Sequence, residues 1–434
     1  MDKNKKRVSR RTFMAASAAV GAASLLKSGR AYAAGSDKIR VGLIGLGGRG
    51  MGAGITDCAT SSKGVELVAI GDLFQDRVER APAEIKKNFA RRELPVDDIY
   101  KVTPDKMFVG WDAYKKVIDS DIDMVILTTP PFFRPMMFDY AVKAGKHVFT
   151  EKPIATDPVN VRKFMDTADE AKKKDLVVVA GTQMRRARQI MEAVQRIQDG
   201  QIGDVVAAQC VRFGGGMMDW GPEIEPAWSE MEQQLRRWLF MTWLSGDFVV
   251  EQHVHNLDLI NWVMGSTPTQ CLATGGRDAR VGEKYGNVWD HFSAELEYPN
   301  GALVGYMGAQ IDNLYSRCDQ KIVGSDGVCY FDFGSANIKG KNPWKYDSES
   351  WPPAVREYAD MIDAIRNNKK LNEGRQVAES TLTAILIRMS AYSGRAMKYD
   401  WALNSSKLDL GPEKLELGPC PLDPAPVPGQ WELV

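Results

Sequence analysis

Two of the chain's four histidines stand two residues apart in Gly246-Asp247-Phe248-Val249-Val250-Glu251-Gln252-His253-Val254-His255-Asn256-Leu257-Asp258. The apolar residues that follow, Leu257, Leu259, Ile260, Trp262 and Val263, predict a buried helix. At helical spacing Glu251, His255 and Asp258 fall at i, i+4 and i+7 and share a face. An imidazole oriented by a carboxylate is the usual general base toward an alcohol. Two other chemistries compete for the same residues. One is a buried histidine satisfied by its core neighbours. The other is a metal site from Glu251, His253 and His255, which needs a strand, because His-x-His converges only there. The acid–base reading is preferred, and no metal is expected, because of the turn that precedes this segment in the chain.

That turn is Gly45-x-Gly47-x-x-Gly50, which follows the apolar run Ile39 to Ile44 and leads into a helix-compatible stretch. In a dinucleotide-binding turn Gly45 makes the tight bend, Gly47 lets the backbone approach a pyrophosphate, and Gly50 lets helix and strand pack closely. Gly48 and Arg49 lie at the helix N-terminus, where unpaired N–H groups receive an anion. A second apolar run, Val65 to Ile70, ends at Gly71-Asp72, about 20 residues on, where an acid holds the ribose hydroxyls. An ordinary βαβ turn with a surface aspartate is the bland alternative. Strand, turn and acid together favour the nucleotide.

Strands and helices then alternate. The residues 76–92 and 112–118 are helix-prone, Met124 to Leu127 is a β-branched strand stopped by Thr128-Thr129-Pro130-Pro131, and Met136 to Ala144 is a helix. His147 to Thr150 is a further strand, ending at Glu151-Lys152-Pro153. This alternation predicts a parallel, doubly wound sheet, an α/β fold. Its functional residues belong just past the strand C-termini, where the glycine turn, Asp72, Thr129, Pro130, Glu151 and Lys152 all fall. Lys152 so placed can reach the nicotinamide and a substrate hydroxyl together, favouring an alkoxide. A solvated lysine before a proline turn is the alternative.

From Val205 the pattern changes. After a helix over 161–173 and a strand over 176–180, strands are predicted at 205–213, 271–275, 292–298, 302–308, 320–324 and 328–333, several alternating apolar and polar residues. They predict an α+β second domain with one large, mainly antiparallel sheet. Helices over 354–367 and 376–397 follow, and can pack back on the first domain. The domains expected are 34–157 for the nucleotide and 158–402 for substrate and oligomer contacts. A proline-rich tail, 403–434, should lie extended on a surface, its own or another subunit's.

Lysine plus arginine and aspartate plus glutamate both number 56, so no global field favours nucleic acid or anionic lipid. The 434 residues, 44% hydrophobic, suffice for two cores. Six scattered cysteines without a C-x-x-C pair read as core residues. Residues 1–33 read as a signal. Lys3, Lys5, Lys6 and Arg7 make a basic start, Arg10-Arg11 a twin arginine, and Phe13 to Leu26 an apolar stretch too short to span a bilayer comfortably. Ala31-Tyr32-Ala33 matches an A-x-A cleavage site. The whole resembles a twin-arginine export signal and predicts a periplasmic or otherwise exported protein with no membrane span after cleavage. An uncleaved anchor or a basic tail is the alternative. The twin-arginine route carries folded proteins, which suits one that loads a dinucleotide in the cytoplasm.

These motifs, together with Ala144-Gly145-Lys146-His147-Val148-Phe149-Thr150-Glu151-Lys152-Pro153, stand in one order. From about Lys38 to Trp401 the chain resembles the Gfo/Idh/MocA oxidoreductases, the glucose-fructose oxidoreductase and inositol dehydrogenase family. The resemblance implies that Lys152 and His255 serve the reacting hydroxyl. It also implies an open C-terminal sheet whose exposed face makes a homodimer or homotetramer. The residue four before the histidine is usually aspartate in that family; here it is Glu251, one methylene longer. The insertion from Phe213 to Thr242, with Trp220, Trp228 and Trp238, and Trp243 beyond it, resembles sugar-acting members. Those rings either stack on sugars or fill a core.

The sequence therefore predicts an exported oxidoreductase holding NAD, with NADP disfavoured by Asp72 and the Leu73-Phe74 that follow, although Lys38, Arg40 and Arg49 lie close in sequence. His255 takes the hydroxyl proton, Lys152 polarises the oxygen, and Glu251 or Asp258 orients the imidazole. The substrate is a small carbohydrate. A redox-neutral glycosidase of the same fold and a non-catalytic NAD and sugar sensor are the alternatives; retention of both Lys152 and His255 speaks against the sensor.

Overall fold

The computed structural model describes residues 37–215 and 223–433. The signal elements, including Arg10, Arg11 and Ala31-Tyr32-Ala33, and Trp220 lie outside the described residues.

Six parallel strands form the first sheet: β1 (Ile39–Ile44), β2 (Val65–Asp72), β3 (Met107–Val109), β4 (Met124–Leu127), β5 (His147–Thr150) and β6 (Val178–Ala180), in the order β3-β2-β1-β4-β5-β6. The central strands are apolar because helices cover both faces; Met124, Val125, Ile126 and Leu127 of β4 are fully enclosed. Helices Ile55–Ser61, Gln75–Arg91, Ala113–Ile118, Arg134–Lys143 and Pro158–Lys173 make the crossovers. The last is capped by Asp157, whose side chain accepts from Asn160 N at 2.9 Å.

The second sheet has nine strands: β7 (Val205–Gly214), β8 (Gln270–Gly276), β9 (His291–Glu297), β10 (Leu303–Gln310), β11 (Arg317–Gly324), β12 (Gly327–Asp332), β13 (Ala336–Gly340), β14 (Trp344–Lys345) and β15 (Met397–Lys398). Their order is β14-β13-β12-β11-β7-β10-β9-β8-β15, antiparallel except for the parallel pair β7 and β10. In β9 Phe292, Ala294 and Leu296 are buried while Ser293, Glu295 and Glu297 are exposed, so one face packs inward and the other meets solvent.

Helix Gly374–Ser393 packs on β8 and on Pro158–Lys173, and is buried along most of its circumference. Pro353–Arg366 lies against Ile55–Ser61. The helix predicted to reach 397 stops at Ser393, because Gly394 takes φ +68° and turns the chain left-handed, freeing Met397 for β15. Strands β3, β13, β14 and β15 and helix Arg188–Gln198 carry no sequence expectation. The tail lies along the same chain. Cys420 N donates to Glu230 Oε2 at 2.7 Å, Asn287 Nδ2 to Asp423 O at 3.2 Å, and Trp289 Nε1 to Pro426 O at 3.0 Å.

Candidate functional site

The glycine turn is shaped by what a side chain would strike. Gly45 has φ +95°, which only glycine adopts without strain. A Cβ on Gly50 would meet Gly45 O at 2.1 Å and Thr128 Oγ1 at 2.5 Å, so helix and strand touch there. Among the described residues a Cβ on Gly47 would meet nothing within 4 Å. That open side faces a cleft of about 730 Å³ lined by Gly45, Gly47, Gly48, Arg49, Asp72, Thr129 and Pro130. A dinucleotide needs such a volume, an uncovered turn and an acid at the second strand; these residues fit NAD.

Asp72 is largely occupied by the backbone. Its Oδ2 accepts from Leu46 N at 2.7 Å and its Oδ1 from Phe74 N at 3.1 Å, leaving one lone pair on each oxygen for ribose. Arg77 approaches Asp72 Oδ2 at 3.9 Å and, with Arg80 and Arg236, lines the same cleft. Sequence reasoning missed these three arginines; the signal available was Arg77, on the helix that follows Asp72. Lys38 and Arg40 are engaged elsewhere, with Glu66 and with Asp121 and Asp123, while Arg49 lines the cleft with its Nε held by Glu151.

The loops after β4 and β5 are braced together. Arg134, buried, donates from Nε to Thr129 O at 2.9 Å and from Nη1 to Pro153 O. Arg49 Nε donates to Glu151 Oε1 at 2.5 Å. Burial pushes the Glu151 carboxyl up, but Arg49, Lys152 and Arg134 together hold it below its ordinary value. Glu151 is therefore an anionic keystone under Arg49, and Lys152 projects from the next position.

Lys152 reaches across to the second half of the chain. Its Nζ donates to Glu251 O at 2.7 Å and to Glu251 Oε1 at 3.1 Å. Burial lowers the Lys152 pKa, and Glu251 and Glu151 partly restore it. His255, half-buried, has a pKa well below its ordinary value. Burial is the main cause, and the charges of Lys152 and Arg212 add to it. The ring is thus neutral near pH 7, as a base must be. Arg212 donates to Gln252 O at 2.8 Å and to Asn256 Oδ1 at 3.1 Å.

The shared helix face expected for Glu251, His255 and Asp258 does not form. Helix Phe248–Glu251 ends at Gln252, and a new helix, Val254–Met264, begins after His253. A continuous helix would spend Glu251 O on His255 N; here it is free to accept Lys152 instead. Glu251 turns its side chain to Lys152 and Gln252. Asp258, buried, is gripped by Arg185 at 2.8 and 2.9 Å and accepts from Ser380 at 2.7 Å and Gln376 at 3.1 Å. Neither carboxylate orients the imidazole: among the described residues His255 Nδ1 is buried with no hydrogen-bond partner. Arg185, which claims Asp258, is a partner that spacing could not reveal.

The three residues of the alternative metal set diverge. His253 is buried with its Nδ1 2.6 Å from Tyr306 Oη, while Glu251 is on Lys152. Of the insertion's tryptophans, Trp238 lines the dinucleotide cleft and Trp228 lies under Arg236 at 4.8 Å. Trp243 is buried, edge-on to Phe132 at 5.0 Å, with Nε1 donating to Gln234 Oε1 at 2.8 Å.

Two family models match: residues 39–182 match the oxidoreductase family with an NAD-binding Rossmann fold, and 190–329 match the GFO/IDH/MocA C-terminal domain. The chain belongs to the Gfo/Idh/MocA oxidoreductase family. It is 29% identical over 182 residues to the 2,7-anhydro-N-acetylneuraminate hydratase of Escherichia coli (strain K12), covering 42% of this chain and 44% of that one. It is 30% identical over 171 residues to the alpha-N-acetylgalactosaminidase of Shewanella oneidensis, 39% of this chain and 33% of that one. The chain thus matches less than half the length of either relative. Its fold is similar to that of scyllo-inositol dehydrogenase from Lactobacillus casei with bound NAD(H) and scyllo-inositol. The TM-score is 0.62 at 18% identity, over 83% of this chain and 99% of that one.

Proposed function

We propose that this chain is an exported oxidoreductase acting on a hydroxyl carbon of a sugar, polyol or glycoside. The observation that carries the reading is the contact of Lys152 with Glu251, which joins the end of the nucleotide sheet to the segment that bears a neutral His255. NAD, when bound, supplies the hydride acceptor. Lys152 spends two of its three N–H groups on Glu251, leaving one for the substrate oxygen. That donor polarises the hydroxyl, and His255 takes its proton. Glu251 positions the lysine and not the histidine; Asp258 anchors the helix of His255 through Arg185 and Ser380. Outside the cytoplasm free dinucleotide is scarce, so the glycine turn and Asp72 would have to hold it through the cycle, and a second substrate would have to take the hydride back.

The hydratase and galactosaminidase relatives support a second reading, in which the carbon is oxidised only transiently and the hydride returns. Mass spectrometry and absorbance of the purified protein, before and after adding candidate glycosides and inositols, test both. Net reduction of bound NAD supports the oxidoreductase. Bond cleavage or water addition with no net reduction supports the second reading. A protein that holds no dinucleotide sinks both. The outer face of the nine-stranded sheet exposes Leu272 and Leu303, which supports a homodimer or homotetramer formed there.

A further inference from the structure

A cavity of about 560 Å³, separate from the dinucleotide cleft, lies between the C-terminal tail and the body. The wall between the two includes Phe133, which lines the cleft, and Trp243, which lines this cavity, with ring centroids 6.4 Å apart. Arg388, on helix Gly374–Ser393, lines the cavity and is fully buried. Its Nη1 donates to Gly246 O at 2.9 Å, but among the described residues Nε and Nη2 have no partner. Those two nitrogens lie along one edge of the planar guanidinium, the edge that takes a carboxylate side-on through two parallel hydrogen bonds.

The groups around the guanidinium are already committed. Asp247 accepts from Phe248 N, Trp289 N and Tyr392 Oη, and Asp157 accepts from Asn160 and Leu410 N. Burial lowers the Arg388 pKa, and Tyr392, Asp157 and Asp247 offset this through space without hydrogen-bonding the free edge. Buried donors left unpaired are unfavourable, so the edge wants an acceptor. Trp243 and Trp431 supply aromatic walls, Trp431 from the tail itself. Arg388 and the tail both lie beyond the residues matched by the two family models, whereas Trp243 and Asn287 lie within them.

We propose that this cavity binds a small organic carboxylate, a sugar acid being the class that suits a guanidinium edge between aromatic walls. The tail serves as its roof, and it must shift for a carboxylate to reach the edge, because the two free nitrogens are closed to the cavity as well as to bulk solvent.

Isothermal titration and tryptophan fluorescence on the full chain, without added dinucleotide, test this with glucuronate against glucose. Glucuronate should bind at least about tenfold more tightly than glucose, since a two-bond charged pair is lost with the carboxylate. Arg388→Gln should weaken glucuronate by about tenfold or more and leave NAD binding unchanged, whereas His255→Asn should leave glucuronate binding unchanged. If Arg388→Gln does not fold, Trp431→Ala, a change in the tail, should weaken glucuronate about threefold or more. The proposal is overturned if glucuronate does not bind, if it binds no better than glucose, if a folded Arg388→Gln does not weaken it, or, where that variant does not fold, if Trp431→Ala does not weaken it. Binding lost in His255→Asn and kept in Arg388→Gln would place the ligand in the reaction cleft and equally overturn it.

Discussion

The glycine turn and the segment from Gly246 to Asp258 are both short, and both bring together residues from distant parts of the chain. They do so by different means. The turn works through its backbone: Gly45 bends it, Gly50 lets it touch Thr128, and Asp72 clamps the N–H groups of Leu46 and Phe74. The second segment works through side chains that reach outward to Lys152, Arg185 and Tyr306. A backbone site tolerates little change in the residues that shape it and is readable from their spacing. A side-chain site depends on partners that spacing does not reveal. The proposed function needs one site of each kind, joined at Lys152.

The largest effect expected is on the side-chain site. His255→Ala should lower the rate of NAD reduction on the order of 10²–10⁴-fold, with dinucleotide affinity unchanged, in single-turnover absorbance measurements. His253→Ala, by contrast, should act on stability more than on rate, since its imidazole serves Tyr306. Undiminished hydride transfer by the His255 variant would end the acid–base reading.

Glu251→Gln comes next. It breaks a buried ion pair, which typically costs roughly 3 kcal/mol of stability, readable by denaturant titration. Glu251 raises the Lys152 pKa, so its loss should lower that pKa further. Lys152 then loses its charge at a lower pH, and the alkaline limb of the pH–rate profile should move toward acid. A profile that moves the other way, or not at all, would show that Lys152 does not polarise the substrate.

The backbone site is sharpened by pairing two glycines. Gly50→Ala forces a Cβ onto Gly45 O and should cost about 1–3 kcal/mol of stability along with NAD binding. Gly47→Ala enters open space, so the melting temperature should hold while NAD affinity falls. Equal melting losses for the two would break the distinction between a packing glycine and an approach glycine.

The smallest effect expected is at Asp72. Asp72→Ser should weaken NAD about tenfold and narrow its advantage over NADP. Arg77 and Arg80 line the same cleft and favour a 2′-phosphate once the acid is gone. Equal NAD and NADP binding by the unmodified chain would show that the arginines already outweigh the aspartate.

Residue order alone determined the alternation of apolar runs and helices, and with it the parallel sheet and the position of the glycine turn, Asp72 and Lys152 at its strand ends. Those features rest on local backbone chemistry and on a hydrophobic period, both of which are written in neighbouring residues. The second sheet was legible where strands alternate, as in β9, and not where they are short or lie late in the chain, as in β13 to β15. The grouping of Glu251, His255 and Asp258 by helical spacing was not what formed. That spacing assumes an unbroken helix, but the helix ends after Glu251, and the Glu251 carbonyl that a continuous helix would use is taken by Lys152, about a hundred residues earlier. The partners of Asp258, the orphaned Nδ1 of His255 and the free edge of Arg388 were likewise decided only by tertiary structure. A hydrogen bond between distant side chains leaves no period in the sequence, and the fold alone brings its two ends together.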